Sequence, residues 1–199
     1  MRKKDLPLSG HTQTPGLIQK ANESSICSFD RTLEVMAEGR FLSRTADDVG
    51  YVRKMRVYFG FTVAGDRSTI DTARKIVQLL EDMGHEVLTR HLVRGNAWEV
   101  DRLISPQDVF RRDMGWLDQC DLFIAEVSGS SFGLGFEAGY LLGGTKKRVL
   151  LFYRSDLQQK VSLLITGNTH PNCTLFPYAN AEEVEAFLRA EVRENQRTA

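Results

Sequence analysis

Cysteine is scarce in this chain of 199 residues: Cys27, Cys120 and Cys173 stand far apart, with no Cys-x-x-Cys pair. Three dispersed thiols argue against a disulfide framework or a structural zinc site, and they fit a reducing compartment. An excess of either charge is missing as well, since 26 basic side chains balance 26 acidic ones. A protein that grips nucleic acid through a broad basic surface is therefore disfavoured, and no nucleic-acid partner is expected. No apolar run approaches the roughly 18–20 residues of a membrane span, so no membrane partner is expected. The opening Met1-Arg-Lys-Lys-Asp lacks a following apolar stretch and does not read as a secretory signal. His11, His85, His91 and His170 show no metal-ligand spacing, so no metal ion is expected. There is no phosphate-cradling Walker loop and no Gly-x-Ser-x-Gly nucleophile elbow. What remains is the expectation of a cytoplasmic globular protein acting on a small molecule.

The composition changes near Met55. Residues 1–54 mix short apolar pieces with Ser, Thr, Gly and charge and read as a poorly ordered extension. Within them, Arg31-Thr-Leu-Glu-Val-Met-Ala-Glu-Gly-Arg40 could form two helical turns. Met55 is expected to open the folded domain, residues 55–199, and to be a possible native start. From there apolar runs alternate with helical patterns. Strands are expected at Val57–Phe61, Glu86–Thr89, Leu122–Val127, Arg148–Tyr153 and Thr174–Phe176. Helices are expected at Ile70–Met83, stopped by Gly84; from Ser105-Pro106 to Gln119; at Leu134–Leu142; at Lys160–Ile165; and at Ala181–Glu191. Asn96–Ile104 reads as a surface loop or irregular helix. This alternation predicts an α/β fold, a Rossmann-like or flavodoxin-like doubly wound parallel sheet of five strands with helices on both faces. Ligands of such folds sit at the carboxyl ends of strands, which directs attention to the loops after Phe61, Val127 and Tyr153.

Ala125-Glu-Val-Ser-Gly-Ser-Ser-Phe-Gly-Leu-Gly-Phe-Glu137-Ala-Gly-Tyr140 follows a strand and enters a helix. Small residues let a ligand approach the backbone, and free N–H groups at a helix start favour an anion. Glu137 is expected in the first helical turn, where an acid is either chemical or merely stabilising. Asp113 stands on the preceding helix among Gln107, Asp108, Arg111 and Arg112, either on a solvated face or in the site. Tyr58 lies within the first strand, either packed in the core or facing the same site. Two carboxylates in different environments are suited to glycosidic-bond chemistry.

Together these blocks resemble the nucleoside 2-deoxyribosyltransferase superfamily, and within it the 2′-deoxynucleoside 5′-phosphate N-hydrolases. The resemblance runs from Arg56 to Leu188. It is carried by Val57-Tyr-Phe, Leu88-Thr-Arg-His91, Asp113-Met-Gly-Trp-Leu, Ala125-Glu-Val, Ser131-Phe-Gly-Leu-Gly-Phe-Glu137 and Val161-Ser-Leu-Leu-Ile-Thr-Gly167. It implies that Glu137 is the nucleophile at the anomeric carbon, Asp113 the acid that assists departure of the base, and Tyr58 the residue that orients the nucleophile. It further implies that Ser131 and Thr62 meet the 5′-phosphate, and that Ser162 does so from a neighbouring subunit, which makes a homodimer the expected assembly. Val63, His91 and Val109 would line the base pocket. No cofactor is implied. Asp113 would need a raised pKa to carry a proton near neutral pH.

The first loop departs from the family pattern. It reads Phe59-Gly-Phe-Thr-Val-Ala-Gly-Asp66, with Ala64 where an arginine is common and Arg67 as a possible substitute. The expected activity is hydrolysis of a deoxynucleotide, a small-molecule substrate, to a free base and 2-deoxyribose 5-phosphate. The alternatives are deoxyribosyl transfer, another nucleotide N-glycosidase, or a non-catalytic nucleotide sensor.

Overall fold

The computed structural model describes residues 53–197. The expectations for residues 1–52, including the Arg31–Arg40 helix, lie outside the described residues. Five strands form one parallel sheet: β1 (Arg56–Phe61), β2 (Glu86–Val87), β3 (Leu122–Glu126), β4 (Arg148–Arg154) and β5 (Cys173–Tyr178). Their spatial order is β2-β1-β3-β4-β5, so the order reverses between β1 and β3. In register, Tyr58 faces Phe123 and Phe61 faces Glu126 across that junction.

Period-two alternation in β1 sends Val57, Phe59 and Phe61 to one face and Tyr58 to the other. The first face packs on α1 (Ile70–Asp82) and α6 (Ala181–Arg197), through Ile76, Leu80, Val184 and Leu188. The second packs on α3 (Pro106–Gln119) and α4 (Phe132–Gly144), through Leu117, Leu134, Ala138 and Leu141. With both faces covered, the doubly wound expectation holds. Ser105 caps α3 by accepting the Asp108 N–H, with Pro106 at the first helical position. Gly84 ends the turn after α1 at φ +85°, a conformation that favours glycine. Among the described residues, no helix is long and apolar enough to cross a membrane.

Several elements differ from expectation for identifiable reasons. β2 is two residues long, because Thr89 replaces further strand pairing. Its hydroxyl accepts the Phe59 N–H at 2.9 Å and donates to the Phe59 carbonyl at 2.6 Å. The chain then forms a 3-10 turn at Arg90–Val93 and a short helix, α2 (Ala97–Asp101). β5 is longer than expected and contains Pro177, which an edge strand tolerates. The expected Lys160–Ile165 helix divides into a 3-10 segment, Ser155–Lys160, and α5 (Leu163–Thr166), capped by Ser162. α4 begins at Phe132 rather than Leu134, because Ser131 caps it through the Leu134 N–H.

The loops after β1 and β3 lie backbone to backbone. An added Cβ at Gly129 would sit 2.1 Å from the Asp66 carbonyl oxygen and 2.8 Å from Thr62 Cγ2. Gly129→Ala should therefore lower unfolding stability by about 1–3 kcal/mol. Gly115→Ala within α3, where the added Cβ meets only Gln119 Nε2 at 4.0 Å, should raise it by about 0.5–1 kcal/mol. Urea denaturation of the two variants checks the contrast, and equal effects would contradict it.

Candidate active site

The reversal between β1 and β3 opens a cavity of about 590 Å³ at the carboxyl ends of the strands. Its floor holds Tyr58 and Phe61 from β1. One wall is the start of α4, with Ser131, Gly133, Leu134 and Glu137. The opposite wall is α3, with Pro106, Val109 and Asp113. His91 and Leu92 of the 3-10 turn, then Trp98 and Asp101 of α2, close the far side.

Because α4 starts at Phe132, Glu137 falls in its second turn, not its first. A helix-end effect fades within the first turn, so mere stabilisation of the helix no longer accounts for this acid. Its carboxylate turns inward and accepts a hydrogen bond from the Tyr58 hydroxyl at 2.8 Å. Burial pushes its pKa up to about 7; the Tyr58 bond opposes that rise, and the charge of Asp113 adds to it. The Tyr58 phenol is pushed upward too, by burial first and then by the charges of Glu137 and Asp113, so it stays a neutral donor. Tyr58 is 1% exposed and stacks on Phe123 at 5.4 Å. It is both a core residue and a member of the site.

Asp113 is paired with Arg112, whose Nε lies 2.8 Å from Asp113 Oδ1. Arg112 Nη1 reaches Asp101 Oδ1 at 2.9 Å. His91 Nε2 stands 3.7 Å from the same oxygen and is buried without a hydrogen-bond partner. Burial, then the charge of Arg112, lowers the His91 pKa, which favours neutral imidazole. Below the floor, Glu126 is wholly buried and held by donors. Thr69 donates to it at 2.6 Å, Tyr178 at 3.0 Å, and Ser128 through its hydroxyl. This cluster joins β3 and β5 to the two loops that frame the cavity.

Of the nine residues singled out in the sequence, Tyr58, Val63, His91, Val109, Asp113, Ser131 and Glu137 line this cavity. Thr62 does not. It is 1% exposed, and its hydroxyl accepts the Gly65 N–H at 2.9 Å. Ser162 is exposed at the start of α5 and lines a second cavity of about 590 Å³, which shares Ser131 and Leu134 with the first. Arg67 does not take the place of the missing arginine. Its two terminal nitrogens donate to the carbonyls of Thr62, Leu92 and Arg94, and it stacks over Phe61 at 4.9 Å. Sequence reasoning missed Asp101, Trp98 and the role of Arg112. Their signal was an Asp and a Trp in a polar stretch, and an Arg beside a singled-out Asp. Among the described residues no group of three or more His, Cys, Asp or Glu is placed to hold a metal ion.

An acid whose pKa rises on folding destabilises the fold once ionised. Glu137 goes from 4.5 to about 7, so its contribution is full below pH 4.5 and is lost as pH rises through 7. Glu137→Gln should be more stable than the wild type by about 3 kcal/mol at pH 8, with most of that gain gone at pH 5. Thermal unfolding at the two pH values checks this, and a gain independent of pH would contradict it.

A family model described as nucleoside 2-deoxyribosyltransferase matches residues 57–185. A Thermofilum pendens protein provisionally named 2′-deoxynucleoside 5′-phosphate N-hydrolase 1 is 38% identical over 129 residues, 65% of this chain and 89% of that protein. The 5-hydroxymethyl-dUMP N-hydrolase of Esox lucius is 32% identical over 137 residues, 67% of this chain and 93% of that protein. Among solved structures, the CMP N-glycosidase of Clostridium botulinum superposes with a TM-score of 0.51 at 24% identity, covering 68% of this chain and 98% of that one. That likeness is one of fold. On the family match, which spans well over half of the sequence, the chain belongs to the nucleoside 2-deoxyribosyltransferase family.

Proposed function

We propose that this N-glycosidase hydrolyses 2′-deoxynucleoside 5′-monophosphates to a free base and 2-deoxyribose 5-phosphate. The observation that carries the reading is the meeting of Tyr58, Asp113 and Glu137 in one cavity that begins at the capped end of a helix. Names of relatives support it: two are N-hydrolases of deoxynucleotides.

In the proposed mechanism the Glu137 carboxylate attacks C1′ as the bond from C1′ to the base nitrogen breaks. The bonding pair leaves with the base, which takes a proton from Asp113. Separating the reaction into two steps lowers each barrier, and an anionic carboxylate stabilises the oxocarbenium-like transition states. Water then attacks C1′ of the glycosyl ester, its proton passes to Asp113, and Glu137 leaves as carboxylate. Tyr58 holds Oε1 of Glu137, which leaves Oε2 to bond to carbon. Ser131 and the N–H groups at the start of α4 receive the 5′-phosphate. Val63, Val109 and His91 surround the base.

The second reading, deoxyribosyl transfer with unphosphorylated nucleosides, has one observation in its favour. Arg67 spends its terminal nitrogens on backbone carbonyls, so the first loop turns no guanidinium toward a phosphate. Chromatography of products from the four deoxynucleotides, the matching ribonucleotides and the deoxynucleosides decides between the two. Base release from deoxynucleotides alone, falling at least 10³-fold in Glu137→Ala, is the expected result. Base exchange between nucleosides without net hydrolysis would favour transfer. No turnover by folded protein would overturn both.

We also assign the chain to a homodimer in the cytoplasm. The support for the dimer is an apolar face on α4 and α5, where Phe132, Leu163 and Leu164 are fully or almost fully exposed and Phe136 is half exposed. A second copy covering that face would carry its Ser162 toward the neighbour's Ser131. The cytoplasmic assignment rests on the free thiols of Cys120 and Cys173. Light scattering should report a dimer at micromolar concentration, and Leu163→Asp should yield monomers with sharply reduced turnover. A fully active wild-type monomer would overturn the shared site.

A further inference from the structure

Arg112 and Asp113 are adjacent on α3, where neighbouring side chains point about 100° apart and do not ordinarily meet. Here they do, at 2.8 Å, and the same guanidinium spans to Asp101 on α2 at 2.9 Å. The contact draws the Asp113 carboxylate toward the cleft between α3 and α2, where both acids line the cavity. Arg112 is fixed from a further side: its guanidinium lies 4.9 Å over the Trp116 ring, which packs on His91 at 5.7 Å. Its side chain is 22% exposed, unlike Arg111 on the same helix at 74%. A rigid planar fork can hold two carboxylates at fixed separation, which a lysine cannot.

We propose that Arg112 is a positioning residue of the reaction. It holds Asp113 by Oδ1, so that Oδ2 meets the departing base, and it ties Asp101 and the α2 wall to the same point. The proposal rests on the hydrolase reading and on Asp113 as its acid. It adds a residue that touches no substrate and acts through Asp113.

The test is a double-mutant cycle on the full chain, with the deoxynucleotide that the wild type hydrolyses fastest. Arg112→Gln should lower kcat about 10- to 100-fold and change KM less than threefold. Arg112→Lys keeps the charge but not the fork, and should recover less than fivefold of that loss. In an Asp113→Asn background, Arg112→Gln should cost less than twofold more. Equal losses in both backgrounds would overturn the proposal, as would full recovery by lysine or a change confined to KM. Thermal unfolding accompanies each variant, and if the glutamine variant does not fold, the lysine variant carries the same cycle. Absence of turnover in the wild type would overturn the hydrolase reading and this proposal with it, whereas normal turnover in the Arg112 variants would overturn the positioning role alone.

Discussion

The hydrogen bond from the Tyr58 hydroxyl to Glu137 joins strand β1 to the helix that begins the site. It can form only because the two elements approach closely. Gly60 provides for that: a Cβ there would sit 2.5 Å from Leu134 Cδ2, in the first turn of α4. Tyr58 itself is packed on every side, being 1% exposed and stacked on Phe123. The carboxylate is thus brought into a desolvated place and given one neutral donor, not a cation. Burial raises its pKa to about 7 while the phenol restrains the rise. An arginine in that position would compete with an electrophilic carbon for the electrons of the carboxylate. A neutral donor leaves the carboxylate nucleophilic and still oriented.

The surroundings divide the electrostatic work between two walls. On α4, Glu137 has only hydroxyl support, whereas on α3 the second acid, Asp113, is tied to a full guanidinium. The loops framing the cavity are fixed from beneath. Glu126 is buried among hydroxyl donors from β5 and both loops, and Gly129 and Gly65 let the loops touch through their backbones. The apolar face beside this region, with Phe132 and Leu163 exposed, ends at the second cavity, where Ser131 and Ser162 lie.

Much of the fold was legible because its signals are local. The alternation of buried strands with capped amphipathic helices gave the parallel sheet, and Ser105-Pro106 and Gly84 marked real helix ends. The errors came where a side chain substituted for backbone pairing. Thr89 closes on Phe59 and so shortens β2, which no propensity would show. Ser131 caps α4 earlier than the apolar period implied, and this shift changed the meaning of Glu137. In the site, seven of nine residues share one cavity because the family blocks specify it in order. Thr62 carries the right hydroxyl but turns it to Gly65, a local turn that the sequence does not distinguish from ligand contact. Asp101 and Arg112 were illegible because their partnership crosses from α2 to α3, and charged helical residues usually face solvent.

The central claim is that Glu137 reacts as a carboxylate whose ionisation is set by burial against the Tyr58 hydrogen bond. The pH dependence of kcat/KM for base release, measured on the wild type and on Tyr58→Phe, tests it most directly. Removing a bond that favours the charged form must raise the Glu137 pKa further. The account predicts an acidic limb near pH 7 in the wild type that moves to higher pH in Tyr58→Phe. An acidic limb at the ordinary carboxylate range in the wild type, or one unmoved by the loss of the phenol, would contradict it.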